Sequence, residues 1–299
     1  MSARAADAPA ELASLVRASG ARSVAVAGTA KNSGKTVTAA ALCGAFQAQG
    51  VAIAVCTAGR DGETFDVVEG TPKPRIFLRE GAVLASAESL VSADPALEIL
   101  DVLEERGALG RIAVARVRRA GEYELAGPAS ATAVLRVVRR LQSVATLAIV
   151  DGAIDRLAFL REGIDAIVLA AGATAPTFDE CVDDARALAE RLQLAPAGAE
   201  DALRIEGALT LERARDLVAA GERRQIVVED GTRIAFGGRT YLALAARLDL
   251  RAERPLHVVA CTTAPSHPRR TFDPRAFLDA VGAATKLPTF DLFANRSFA

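Results

Sequence analysis

The chain has 299 residues, of which 51% are hydrophobic and 4% aromatic, and its 36 basic and 37 acidic residues leave a formal net charge of −1. That length suits one large domain or two modest ones around a core of Ala, Val, Leu and Ile. The balanced charge argues against a bulk electrostatic hold on nucleic acid or an anionic membrane. No apolar run reaches the ~18 residues of a membrane helix, and no apolar signal core precedes Pro9, so the expected compartment is the cytoplasm.

Cys43, Cys56, Cys181 and Cys261 stand far apart with no C-x-x-C pair, which predicts buried free thiols rather than a disulfide framework or a zinc site. Two histidines, His257 and His267, leave little for a His-rich metal site or a Ser-His-Asp triad. The basic residues are nearly all arginine. The four lysines are Lys31, Lys35, Lys73 and Lys286, and two of them share one short loop.

Taken in order, Ala10 to Ala18 has helical apolar spacing, and Ser23 to Ala27 reads as a short buried strand. The loop Gly28-Thr-Ala-Lys-Asn-Ser-Gly-Lys-Thr36 follows. Val37 to Gln49 then reads as a helix stopping at Gly50, and Val51 to Cys56 as a second strand. This is a βαβ unit, expected to be right-handed. Thr57 to Pro74 is a polar loop, and Arg75 to Leu78 a short strand.

Val83 to Val91 and Pro95 to Arg106 are expected as helices. Arg111 to Arg118 alternates apolar and basic residues and is expected to pair with Tyr123 to Ala126; Arg111, Arg116, Arg118 and Arg119 could touch an acidic partner, with a solvated face or an edge-strand guard as the commoner reading. Ala129 to Leu141 is a helix, Thr146 to Asp151 a strand ending in an acid, Ala166 to Ala171 a strand, and Phe178 to Leu192 a helix. Leu194 to Asp201, with Pro196 and Gly198, is the linker candidate. Beyond it, strands are expected at 203–205, 225–228 and 256–260, helices at 211–219, 241–247 and 275–284, and a terminal strand at 287–291.

The expected fold is therefore α/β: a mainly parallel sheet flanked by helices, with a nucleotide-binding domain over 1–195 and a smaller α/β region over 201–299.

The phosphate-loop pattern is G-x-x-x-x-G-K-[ST]. Gly34-Lys35-Thr36 fits its end, but Thr29 stands where the first glycine belongs. The chemistry survives that change. Backbone N–H groups around Asn32, Ser33, Gly34, Lys35, Thr36 and Val37 can wrap a phosphate at a helix N-terminus, Lys35 can reach the β- and γ-phosphates, and the Thr36 hydroxyl suits Mg²⁺. The alternative is a Gly-rich turn joining a strand to a helix.

The run Gly-Thr-x-x-x-x-Gly-Lys-Thr after the first strand resembles the loop of dethiobiotin synthetase and of the amidoligases of cobyric acid synthesis. Ala148-Ile-Val-Asp151-Gly152-Ala153 resembles the strand of those enzymes that ends in acid-Gly-Ala. The resemblance implies a P-loop NTPase fold, ATP and Mg²⁺ as cofactors, Thr29 and Lys31 within the nucleotide loop, and Asp151 at the metal. The alternative for Asp151 is an acid that caps the next turn. The chain also departs from these enzymes. Their Lys-Pro pair after the second strand is replaced by Thr57 to Glu63. Where the deviant loops of partitioning ATPases carry a signature lysine, this chain has Ala30, so Lys31 does not inherit an intersubunit role; it could still reach phosphate or a partner, and a solvated loop lysine is the alternative.

Arg60-Asp61-Gly62-Glu63 follows the second strand and is expected at the same sheet edge as the phosphate loop. Asp61 could join Mg²⁺ through water, Glu63 or Asp66 could orient an attacking water, and Arg60 could neutralise phosphate charge; a solvated loop is the alternative. Pro265 to Arg270 is either a frame for the nucleotide base or a plain surface loop.

The longer string, from Gly-Thr-x-Lys-Asn-x-Gly-Lys-Thr through Gly-Arg-Asp-Gly-Glu to Lys73-Pro-Arg-Ile76, together with Glu229-Asp-Gly-Thr-Arg-Ile234, looks like the ATPase subunit of the lysine 5,6-aminomutase reactivase. That likeness implies an ATP-driven factor acting on a cobalamin-dependent mutase with a second reactivase subunit. Three readings stand: an ATPase coupled to a partner enzyme, a ligase or small-molecule kinase, and a nucleotide-dependent binding module.

Overall fold

A computed structural model describes residues 7–58, 75–152, 160, 163–294 and 296–298. The chain begins with helix α1 (Ala8–Ala18), strand β1 (Ser23–Gly28), helix α2 (Lys35–Ala48) and strand β2 (Ile53–Thr57). Strands β3 (Ile76–Leu78) and β4 (Val83–Ala87), the short helix α3 (Glu88–Ser92) and strands β5 (Leu97–Gly107), β6 (Gly110–Val117) and β7 (Gly121–Tyr123) follow. Next come α4 (Ala131–Gln142), β8 (Leu147–Asp151), β9 (Ala166–Gly172) and α5 (Phe178–Leu192). The remainder is β10 (Leu203–Arg204), α6 (Leu211–Ala219), β11 (Gln225–Val228), α7 (Gly238–Ala245), β12 (Asp249–Ala252), β13 (Val258–Ala264), the ribbon β14 (Ser266–His267) and β15 (Arg270–Thr271), α8 (Pro274–Thr285), β16 (Thr289–Asp291) and β17 (Arg296–Phe298).

Ten strands form the main sheet in the order β17-β16-β13-β9-β1-β8-β2-β4-β6-β5. Pairing is parallel from β16 through to β4, and antiparallel at β17 and across β4, β6 and β5. The expectation of an α/β fold with a mostly parallel sheet flanked by helices holds.

Strand period explains the two-sided core. Along β1, Val24 and Val26 join one cluster with Leu12 and Val16 of α1 and Leu42 and Phe46 of α2. Ala25 and Ala27 join the other, with Val137 and Leu141 of α4, Ala185 and Leu188 of α5, and Phe277 and Val281 of α8. All six residues of β1 are buried, as a central parallel strand requires. Among the described residues, no helix is long and apolar enough to cross a membrane. All four cysteines are buried and free, as expected.

The expected helix Val83–Val91 is a strand over its first half and the helix α3 over its second, and the expected helix Pro95–Arg106 is strand β5. Val83-Leu-Ala-Ser-Ala87 is buried along its whole length between β2 and β6, and a short apolar run of that kind has no period to separate helix from strand. Residues 97–107 mimic helical spacing because β5 slips register between Ile99 and Asp101 and again between Val102 and Arg106. The slips let Leu100 and Val102, two residues apart, pack against opposite core clusters.

The basic strand β6 pairs with β4 and β5 rather than with 123–126, so it is internal and guards no edge. Tyr123 belongs to β7, which pairs with β3. The arginines of β6 meet acids on neighbouring elements: Arg111 meets Glu88, and Arg116 and Arg118 meet Glu98.

The expected boundary at 195–201 marks where the chain leaves the main sheet, but not a lasting departure. Residues 203–252 build a separate three-stranded parallel sheet, β10-β11-β12, with its own core around Leu209, Ile226, Val228 and Tyr241. From Val258 the chain returns, and β13, β16 and β17 complete the main sheet.

The small sheet is tied to α5 by Arg191. Its guanidinium is largely buried and donates through Nη1 to the carbonyls of Ile234 (3.2 Å) and Phe236 (3.1 Å). Gly231 lies so close to the end of α5 that a Cβ there would sit 1.8 Å from the Arg191 carbonyl oxygen. Arg191→Ala would leave two carbonyls without this donor and a gap behind it. It should cost about 2–4 kcal/mol, read as a lowered Tm and as faster proteolysis within 203–252 than elsewhere. Uniform protease sensitivity would show that the arginine does not hold the small sheet in place.

Candidate functional site

The parallel strands β1, β8, β9 and β13 end at one edge of the sheet, where ligands of open α/β sheets bind. The segment from Thr29 to Gly34 joins β1 to α2 there. It turns through two left-handed positions, Asn32 at φ 61° and Gly34 at φ 96°, and Gly34 is the N-cap of α2. Glycine suits the second because a side chain at that φ is strained.

Two further glycines let the loop lie flat on the strand ends. A Cβ on Gly28 would sit 2.2 Å from Ser33 Oγ and 2.8 Å from Lys35 Cγ. A Cβ on Gly172, at the end of β9, would sit 2.5 Å from Ser33 Cα. The Thr29 amide donates to the Ala170 carbonyl at 3.1 Å, continuing the β1–β9 pairing into the loop.

The helix behind the loop is open at its start. Ser130, Thr177, Thr210 and Asp273 cap the first turns of α4, α5, α6 and α8 with their side chains, whereas α2 has no side-chain cap and no acid in its first turn. With no acid there, the positive end of its dipole favours an anion at the loop. Thr29 Oγ1 and Ser33 Oγ are buried in the loop with no hydrogen-bond partner among the described residues. Lys35 Nζ donates to the Ala30 carbonyl at 2.7 Å, so its ammonium is folded back over the same loop.

Asp151 closes the arrangement from 115 residues further along the chain. It ends β8, in register with Val26 of β1 and Thr57 of β2, and Thr36 Oγ1 donates to its Oδ2 at 2.7 Å. Its main chain is fixed as well, because its carbonyl accepts from the Ala58 amide (2.8 Å) and the Thr57 hydroxyl (3.1 Å). The bonds of Asp151 thus reach α2 and the end of β2.

Burial, and secondarily the Asp151 charge, pushes the thiols of Cys43 and Cys56 up to about 12, so both stay neutral and unreactive at ordinary pH. Among the described residues, no group of three or more His, Cys, Asp or Glu side chains could hold a metal. A site that shares Mg²⁺ with phosphate and water needs only one or two protein ligands, so Thr36 and Asp151 remain a fitting pair.

Of the residues expected at the site, Thr29, Ser33, Gly34, Lys35, Thr36 and Asp151 are brought together. Lys31 and Asn32 are on the exposed side of the loop, and Val37 is 40% exposed on the first turn of α2. Asp61 lies outside the described residues, as do Arg60, Glu63, Asp66, Lys73 and Ala153. Pro265 to Arg270 starts beside the loop, since Ala264 is the nearest neighbour of Gly34, and folds into the ribbon β14–β15.

Sequence reasoning missed Gly172, whose trace is a glycine at the end of an apolar strand. It also missed Thr262, whose trace is a hydroxyl within the buried run Val258 to Ala264. Gly172→Ala should push the Ser33 backbone off β9 and cost about 1–3 kcal/mol, with amide exchange rising over 29–36. Parent-like exchange there would mean that the loop does not rest on Gly172.

No protein-family model, no curated protein and no solved structure matches this chain.

Proposed function

We propose that the chain is a P-loop ATPase: it binds Mg·ATP at the loop 29–36, hydrolyses it, and couples turnover to a partner enzyme. The observation that carries this reading is the Thr36–Asp151 hydrogen bond at the uncapped start of α2. A hydroxyl and a carboxylate from distant parts of the chain meet where an anion would be held. The buried, unpartnered hydroxyls of Thr29 and Ser33 also support it, because a buried polar group without a partner is costly unless a ligand completes it.

In this reading the loop amides and Lys35 bind the β- and γ-phosphates, with Lys35 exchanging its Ala30 carbonyl for phosphate oxygen. Thr36 and Asp151 would hold Mg²⁺, which when bound neutralises charge at the transferring phosphate. Asp61 stands as a further metal-side candidate on sequence grounds alone.

The partner is inferred from two features. The sheet at 203–252 is an addition that a nucleotide site does not need. The sequence likeness to the aminomutase reactivase ATPase makes a cobalamin-dependent mutase the first partner to test. ATP turnover can shift such a partner only if the ATP and ADP states bind it with different affinity.

Lys35→Ala should weaken Mg·ATP binding roughly 10- to 100-fold by calorimetry, the loss of a hydrogen bond to a charged group. Unchanged affinity would remove the phosphate-loop reading. Asp151→Asn should cut hydrolysis far more than binding. Basal turnover should rise on addition of a cobalamin-dependent aminomutase. If a small carboxylic acid or amine raises it instead, the chain is a ligase or kinase.

A further inference from the structure

The phosphate loop is supported from behind by a strand near the far end of the chain, through a contact that the nucleotide chemistry itself does not use. Gly34 ends the loop in a left-handed conformation and caps α2. Its carbonyl accepts from the Thr38 amide at 2.9 Å and from the Thr38 hydroxyl at 3.0 Å. The Thr38 hydroxyl is in turn 2.7 Å from the hydroxyl of Thr262 on β13, which lies 3.2 Å from the Leu169 carbonyl on β9. Both threonines are buried, Thr38 to 1% exposure and Thr262 to 3%. The same strand meets the loop once more, where Ala264 Cβ would lie 3.0 Å from a Cβ on Gly34.

The relay contains three side-chain hydrogen-bond distances but only two hydroxyl protons, since each threonine donates once. In one arrangement Thr262 donates to Thr38 and Thr38 donates to the Gly34 carbonyl. In another Thr38 donates to Thr262 and Thr262 donates to the Leu169 carbonyl, and in a third each threonine donates to its own carbonyl, which leaves two hydroxyl oxygens 2.7 Å apart with no proton between them. The shorter distance, 3.0 Å against 3.2 Å, is at Gly34. Leu169 also belongs to a fully buried strand paired on both sides, by β1 and β13, so its carbonyl needs no hydroxyl.

We infer that Thr262 is a positioning residue for the phosphate loop. By donating to Thr38 it orients that hydroxyl onto the Gly34 carbonyl and holds the Gly34 peptide in its left-handed turn. A lone Thr38 could turn its proton elsewhere; with Thr262 as donor, its remaining acceptor is Gly34. The inference concerns the loop in the ligand-free protein. Only its consequence for affinity rests on the nucleotide reading above.

The test compares the parent with T262V, which keeps the shape and removes the hydroxyl, and T262S, which keeps the hydroxyl and removes a methyl. Hydrogen–deuterium exchange is followed over 29–36 in the ligand-free protein, with 211–219 of α6 as an internal reference. Mg·ATP affinity is measured in parallel by calorimetry. T262V should raise exchange over 29–36 roughly 2- to 10-fold, the equivalent of one lost hydrogen bond, leave α6 unchanged and weaken Mg·ATP binding by a similar factor. T262S should restore both.

Parent-like exchange over 29–36 in T262V, or a rise equal in α6, would reduce Thr262 to a core-filling residue and overturn the inference. T262A serves the same comparison should T262V not fold. If the parent binds no Mg·ATP while exchange responds as expected, the nucleotide reading falls and the positioning role stands.

Discussion

Everything at the site depends on one backbone laid directly on another. Ser33 crosses the end of β9 at Gly172 with no room for a methyl group between them, and folds back against Gly28 at the end of β1. β1 and β9 are neighbours in the sheet, so the two glycines form one flat seat. The seat buries Ser33, lays the aliphatic stem of Lys35 against Gly28, and brings Gly34 to the point where α2 starts. A Cβ at Gly172 would meet the Ser33 backbone and lift the loop, whereas one at Gly28 would meet the side chains of Ser33 and Lys35.

The parallel sheet turns that local seat into a site. Because β1, β8, β9 and β13 run in the same direction, their C-terminal residues arrive at a common edge whatever their separation in the chain. Asp151 reaches Thr36 across 115 residues, and Thr262 reaches Thr38 across 224. The helices are arranged in the same sense, so α2 starts at this edge with its amides uncapped. The small sheet at 203–252 is attached on the α5 side by Arg191. It interrupts the main sheet's sequence between β9 and β13, which still pair in parallel with a register shift between Val258 and Ala260.

The stretch from Val83 to Val117 shows where local pattern and global pairing part. A buried run such as Val83 to Ala87 satisfies either helix or strand, and only the neighbours β2 and β6 decide. In β5 the register slips reproduce the threefold spacing of an amphipathic helix. The arginines read as a solvated face stay solvent-facing, in exposed ion pairs with Glu88 of α3 and Glu98 of β5. For β4 and β5 the missing information was the identity of a partner strand.

What the sequence by itself determined is short-range. The β1–loop–α2–β2 unit, the helix Phe178–Leu192 and the strand ending in Asp151 follow from spacing and glycine placement that act within a few positions. So did the grouping of Gly34, Lys35 and Thr36 at a helix start. Only the tertiary structure decided which strands pair, that residues 258–298 rejoin the main sheet, and that Gly172 and Thr262 belong to the site. Helix signals are local because their hydrogen bonds close over four residues. Strand pairing, the glycine seat and the threonine relay are contacts between residues far apart in sequence, and nothing near those residues in the chain encodes what they touch.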